Sequence, residues 1–209
     1  MRQAYCRVAP ALFLLCSLAA CAPVVIVGGA ATGAMVAEDR RTAGIQVEDT
    51  NIELKSGSRI DGKYHDQVHV NITSYNRNVL LTGEAPTNAI KSDIEKIVLG
   101  VESVRGVINE IAVAGMSSMG TRANDSYITS KVKGAFLGAQ KFYPNHVKVV
   151  TESNIVYLMG IVLKQEADDA TEITRSVGGV QKVVRVFEYT TKVPVHAPAT
   201  NAKPVKEGG

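Results

Sequence analysis

The chain has 209 residues, with 23 basic residues against 20 acidic ones, and so even a balance excludes a whole-molecule electrostatic grip on nucleic acid. It contains no tryptophan and only four phenylalanines and seven tyrosines, so its cores have to be built mainly from Val, Ile and Leu. Its three cysteines fall at positions 6, 16 and 21, too close to the start to form a disulfide framework for the rest of the chain.

Residues 1–20 carry Arg2 and Arg7, no acid, and then an apolar run over 8–18 broken only by Pro10 and Ser17. That is the build of a secretory signal peptide, with a hydrophobic core too short to span a bilayer permanently. The run closes on Leu18-Ala19-Ala20-Cys21, which resembles the lipobox of bacterial lipoproteins. The resemblance implies removal of residues 1–20, a lipid on Cys21 as the new N-terminus, and, with Ala22 rather than aspartate following it, the outer membrane. Cys6 and Cys16 leave with the leader, and the loss of Arg2 and Arg7 takes the basic count from 23 to 21 against the same 20 acids.

Residues 21–41 read as a lipidated N-terminus and spacer: Ala, Gly and Val without charge, then Glu38-Asp39-Arg40-Arg41 as a solvated stretch. The glycines at 28, 29 and 33 do not have the G-x-G-x-x-G spacing of a dinucleotide turn. At the other end, residues 191–209 are Pro, Ala, Lys and Gly with few large apolar side chains, a composition that predicts a disordered tail.

Between these ends the chain repeats itself. His69-Val70-Asn71-Ile72 corresponds to His146-Val147-Lys148-Val149, and Val79-Leu80-Leu81-Thr82-Gly83 to Val156-Tyr157-Leu158-Met159-Gly160, at one fixed offset. In each copy a helical pattern (50–60, 125–137) precedes a hairpin whose first strand alternates apolar and polar residues, as a strand with one buried face does. A second helix follows, with Pro86 in its first turn in one copy and residues 165–177 forming it in the other. A closing strand ends each copy, 107–113 and 183–190. The predicted fold class is α+β: two small αββαβ modules at 42–114 and 122–190, each a three-stranded sheet packed on two helices, joined by a linker at 115–121.

Two αββαβ copies, each with a glycine ending the second strand (Gly83, Gly160) and a Gly-Val approach to the last (Gly106-Val107, Gly179-Val180), resemble the BON domain. A lipobox followed by two of them resembles the dual-BON outer-membrane lipoproteins. The likeness extends over about residues 42–190 and is closest at 124–133 and 147–160.

Catalysis finds no candidate. Neither G-x-S-x-G nor S-x-x-K occurs, a lipidated Cys21 cannot act as a nucleophile, and Asp168 and Asp169 read as surface carboxylates on a polar helix face. The four histidines, His65, His69, His146 and His196, stand outside any H-E-x-x-H or Cys/His cluster. His69 and His146 read as exposed residues on the outer face of a strand, so no metal and no cofactor is expected. The chain is therefore read as a non-enzyme.

The sharper signal is the first helix of the second copy. Ile128, Val132, Ala135 and Phe136 share one helical sector, which should face the sheet. Tyr127, Ser130, Lys131, Gly134, Leu137 and Gly138 share another, which should face away. The matching positions of the first copy are Asn51, Lys55, Ser58 and Asp61, so only the second copy is expected to present a greasy exterior. An exposed aromatic and a leucine flanked by Lys131 and Lys133 is the composition of a surface that enters a headgroup layer and favours anionic lipid. The resemblance implies the same: in dual-BON lipoproteins this helix contacts anionic phospholipid such as phosphatidylglycerol, and the protein supports envelope integrity at division sites from the periplasmic side of the outer membrane. Tyr127 replaces the tryptophan associated with that place. On composition alone the stripe also suits packing on the first module, or docking of an envelope protein by an adaptor in envelope assembly or cell-wall hydrolase regulation. Met116 and Met119 in the linker could join any of these surfaces, although glycine-flanked methionines more often just fill a gap.

Overall fold

The computed structural model describes residues 39–192. The leader, Cys21, the uncharged spacer and the tail beyond residue 192 lie outside the described residues. The first module runs α1 (Ala43–Tyr64), β1 (His69–Tyr75), β2 (Asn78–Ala85), α2 (Asn88–Leu99) and a closing strand in two pieces, β3 (Gly106–Asn109) and β4 (Ala112–Val113). The second runs α3 (Met119–Ala139), β5 (Lys148–Glu152), β6 (Ile155–Val162), α4 (Lys164–Ser176) and β7 (Lys182–Tyr189). In both, the second strand is central, antiparallel to its hairpin partner and parallel to the closing strand.

The first helices are longer than the apolar spacing predicts. The Thr42 and Ser118 hydroxyls accept the amides of Ile45 and Thr121, so these caps open each helix well before its first core residue. Pro86 lies just outside α2 rather than in its first turn, because Thr87 is the cap there.

Each hairpin turns on two residues in the left-handed region, Asn76-Arg77 and Ser153-Asn154, a type I′ geometry that non-glycine residues resist. A buried aspartate from the preceding helix holds each turn. Asp49 accepts the amides of Asn76 and Arg77 at 2.9 and 2.7 Å and the Ser74 hydroxyl at 2.6 Å. Asp125 accepts the amides of Ser153 and Asn154 at 2.8 and 2.9 Å. Burial opposes the charge on Asp49, but donation from Ser74, Arg77, Arg41 and Asn76 outweighs it and holds the carboxyl below its usual range. The repeated glycines have a steric cause: a Cβ on Gly83 or Gly160 would sit 2.1 Å from the carbonyl oxygen of His69 or His146.

Each sheet buries one face under its two helices. Ile52, Ile60, Ile94 and Val98 pack on Val79 and Leu81 in the first module, and Ile128, Val132, Phe136 and Ala170 pack on Val149, Val156 and Leu158 in the second. The opposite faces are not solvated, contrary to the one-sided strand reading. Tyr75 and Leu80 of the first sheet meet Tyr157 and Met159 of the second in a third core, edged by Ile108, Val150, Ile161 and Val184. The order of layers is helices, sheet, sheet, helices. The histidine expectation fails as well. His69 is on the outer face of its strand, but that face is turned to the other module and its Nδ1 lies 3.0 Å from Glu84. His146 is buried in a short 3-10 turn, against Tyr143 and 3.3 Å from Glu166.

The charged stretch before α1 is also not free in solvent. Arg40 reaches the second module, where it donates to the Ile161 carbonyl at 2.7 Å and pairs with both oxygens of Glu166 at 2.6 and 3.0 Å. Arg41 pairs with Asp49 at 2.8 Å and stacks over the Tyr75 ring of the first module. Burial opposes the charge on Glu166, but hydrogen bonds from His146, Arg40 and the Leu163 amide hold its carboxyl down at about 2.

Two stability predictions follow from these anchors. Asp49→Ala leaves two turn amides and a hydroxyl without their acceptor and Arg41 with Asp39 alone, and urea unfolding should show a loss of about 3–5 kcal/mol, with Asp49→Asn intermediate. Because the folded pKa of Glu166 is depressed from 4.5, its contribution is complete above that pH and is lost as the pH falls towards 2. Arg40→Ala should therefore cost about 2 kcal/mol at pH 7, and its deficit relative to wild type should narrow as both are titrated from pH 4.5 downward.

Candidate functional site

Helix α3 buries Ile128, Val132 and Phe136 against its sheet, which fixes the opposite sector outward. In that sector Tyr127 is 62% exposed and Leu137 66%. Ser130, Lys133 and Gly134 are exposed with them, Lys133 at the edge. The Ser118 cap adds a turn beyond the predicted start, and this brings Met119, 78% exposed, onto the same stripe two turns before Tyr127. Met119, expected in the linker as a candidate for such a surface, is instead the first residue of the helix itself. The first module does not cover this stripe, since the modules meet through their sheets.

Lys131 is only half-exposed. Its ammonium donates to the Gly178 carbonyl and lies 4.8 Å from the centre of the Tyr127 ring, so it braces the tyrosine from the side. Lys133 makes no ion pair among the described residues. It lines a shallow groove with Leu137, Pro144, Lys148, Arg41 and Tyr75. Arg41 is committed there to Asp39 and Asp49 and Lys148 to Glu53, which leaves Lys133 as the available charge. Gly134 and Gly138 have nothing within 4 Å of an added Cβ, so packing does not require glycine at either place. Gly134 lowers the helix surface between Tyr127 and Leu137, and Gly138 lowers it just beyond, at a cost in helix stability.

One expectation about the first module needs correction: α1 also exposes apolar side chains, Val47 and Leu54, at about the same level as Tyr127. Asn51, Lys55, Ser58 and Asp61 are exposed as placed, with Lys55 3.6 Å from Glu102. The two helices differ in charge and aromaticity. Along α1 stand Glu48, Asp49, Glu53 and Asp61 against Lys55, Arg59 and Lys63. Along α3 stand Arg122, Lys131 and Lys133 against Asp125 alone, and Asp125 is buried under its turn. Only α3 therefore combines an exposed aromatic with a surface free of acid.

His69, Glu84 and Glu152 bring donor atoms within 4.8 Å of one another although they are far apart in sequence and belong to both modules. His146 is enclosed within the second module, leaving a substrate no surface through which to reach it. Among the described residues, no helix is long and apolar enough to cross a membrane.

The exposure of the stripe makes a further prediction. Tyr127→Glu should leave urea stability within about 0.5 kcal/mol of wild type, and Gly134→Ala should raise it by about 0.5–1 kcal/mol.

Residues 48–115 and 124–191 each match the BON domain family. The outer membrane lipoprotein DolP of Haemophilus influenzae is 36% identical over 166 residues, 78% of this chain and 86% of that protein. The 21 kDa hemolysin of Actinobacillus pleuropneumoniae is 34% identical over 153 residues, 72% of this chain and 79% of that protein. The osmotically-inducible protein Y of Escherichia coli is 30% identical over 125 residues, 57% of this chain and 62% of that protein. Among solved structures, CdsD of the Chlamydia trachomatis type III secretion system aligns over 69% of this chain and 92% of its own at 13% identity, with a TM-score of 0.27, a likeness too loose to carry an argument. Two family matches in tandem, on two modules with the same strand order and the same aspartate-held turn, make the chain a member of the BON-domain family.

Proposed function

We propose that this chain is an outer-membrane lipoprotein of the envelope, tethered through Cys21 and facing the periplasm, whose second BON domain engages anionic phospholipid through α3. The observation that carries the reading is the exposed stripe of Met119, Tyr127 and Leu137 on a helix with Lys131 and Lys133 and no exposed acid. The kinship with DolP, an outer membrane lipoprotein by name, supports the tether and the compartment. A role in envelope integrity, including at the division site, follows from the resemblance to dual-BON lipoproteins.

The energetics suit a reader rather than an anchor. A basic residue near an anionic surface is worth about 1 kcal/mol, and a half-buried tyrosine or leucine about as much again. Alone, such a patch binds weakly. A lipid on Cys21 would hold it at high effective concentration, so a small preference for one headgroup is enough to bias where the protein resides. The exposed Val47 and Leu54 on α1 favour a second role, a protein-docking surface through which the chain would act as an adaptor for envelope assembly or cell-wall hydrolase regulation.

All three cores lie within residues 39–192, so a segment running from residue 37 onward can be tested apart from any lipid. In flotation it should rise with phosphatidylglycerol vesicles and stay down with phosphatidylcholine. Tyr127→Glu should abolish flotation while Asn51→Glu, at the matching place in α1, leaves it unchanged. A wild-type segment that ignores both vesicle types, or equal loss in the two variants, would sink the reading.

A further inference from the structure

The seam between the two sheets holds a second polar group, unrelated to α3. His69 and Glu84 are directly opposed across β1 and β2, and the outer face that carries them also carries Asn71 and Thr82. Glu152, the last residue of β5, comes from the other module, and its carboxylate accepts the Asn71 amide at 2.7 Å. Glu84 accepts the Ser117 amide at 3.2 Å and lies 3.0 Å from the imidazole of His69. The donor atoms of His69, Glu84 and Glu152 all lie within 4.8 Å of one another.

The charge in this group is not balanced. Glu84 is 4% exposed and Glu152 7%, and among the described residues neither is paired with a lysine or arginine. The chain's other buried carboxylates are treated differently. Asp49 has Arg41, Glu166 has Arg40, and Asp125 stands alone beneath two backbone amides. Here two carboxylates from different modules face each other with only an imidazole and neutral donors between them, an arrangement whose repulsion and desolvation ask for a cation. Beside them the Thr82 hydroxyl, opposite Asn71 in the strand register and 1% exposed, has no hydrogen-bond partner. Burial, followed by the negative charges of Glu110 and Glu152, pushes the nearby Tyr157 phenol up to about 12, which marks the same end of the seam as electronegative.

From this geometry we infer that His69, Glu84 and Glu152 form a site for one divalent transition metal of the zinc class, clasping the two BON domains together. One imidazole nitrogen and two carboxylate oxygens are a zinc donor set. Ligands about 2.0–2.2 Å from a tetrahedral ion stand roughly 3.3–3.6 Å apart, and the spacings here, 3.0 Å between His69 and Glu84 and none above 4.8 Å, bracket that value. Asn71 and the Ser117 amide orient the two carboxylates from outside, as second partners of metal ligands do. A water in the fourth position would give the orphaned Thr82 hydroxyl a partner. With ligands from both modules, the metal adds its binding energy to the contact between them. The inference is independent of the lipid reading.

The test uses the full chain, free of affinity tags, in detergent and stripped with EDTA, then equilibrated with Zn2+ and measured by elemental analysis and calorimetric titration. Wild type should take one zinc per chain and melt at a higher temperature with zinc than without. His69→Gln and Glu152→Gln should bind at least about tenfold more weakly and lose the melting response. His65→Asn, an exposed histidine outside the cluster, should behave as wild type. Without metal, Glu152→Gln should melt above wild type because it removes one of two opposed charges, whereas a carboxylate serving only as a hydrogen-bond acceptor would melt lower when replaced. Absence of zinc from wild type, or undiminished zinc binding by Glu152→Gln, overturns the inference.

Discussion

Both modules depend on the contact between the outer faces of their sheets, where Tyr75 and Leu80 meet Tyr157 and Met159. A BON module of about 70 residues with no disulfide has too little volume per unit surface for a generous core. Closing two of them face to face gives each sheet a second covered side. Four large side chains at about 1.5–3 kcal/mol each are then shared by both modules. The arrangement also commits the rest of the surface. With the sheets occupied by each other, the helices are what remains to face the surroundings, and α3 is outward because its sheet is inward.

The polar groups around this contact show how one problem, a carboxylate away from water, is met in several ways within one chain. Asp49 and Asp125 use backbone amides of strained turns, so the aspartate and the turn stabilise each other. Glu166 uses a long-range donor, Arg40, while the partly exposed Glu188 takes Asn76, Asn78 and Arg105 from the other module. These last bonds run along the edges of the sandwich and fix its register, a task that apolar contacts perform poorly because they lack direction.

The module was legible in the sequence because the chain states it twice. The fixed offset between His69 and His146, or Gly83 and Gly160, reports backbone geometry that each copy needs separately. The relation between the copies was not legible, although a trace of it is present. Residues 155–162 form a nearly continuous apolar run, which is how a strand covered on both faces reads, whereas a one-sided strand alternates. Arg40 and Arg41 looked solvated because nothing local pairs Arg40; its carboxylate partner is 126 positions away. On α3 the helical period was enough to place Tyr127 and Leu137 outward. The bracing of Lys131 depends on a loop carbonyl at Gly178, and no spacing within the helix encodes that. His69, Glu84 and Glu152 come together only through the hairpin register and the stacking of two sheets, and neither is written in any short motif.

The fork formed by Arg40 and Arg41 has a mechanical consequence. Adjacent on the chain, the two residues grip different modules, one through Glu166 and the carbonyl of Ile161, the other through Asp49 and the ring of Tyr75. Tension arriving from residues before 39 therefore enters at the joint and divides between the two halves. It does not peel α1 away from its sheet one turn at a time. A pull from a tether would meet first a residue bonded to the second module and then one bonded to the first, so both modules are gripped at the point where the force enters.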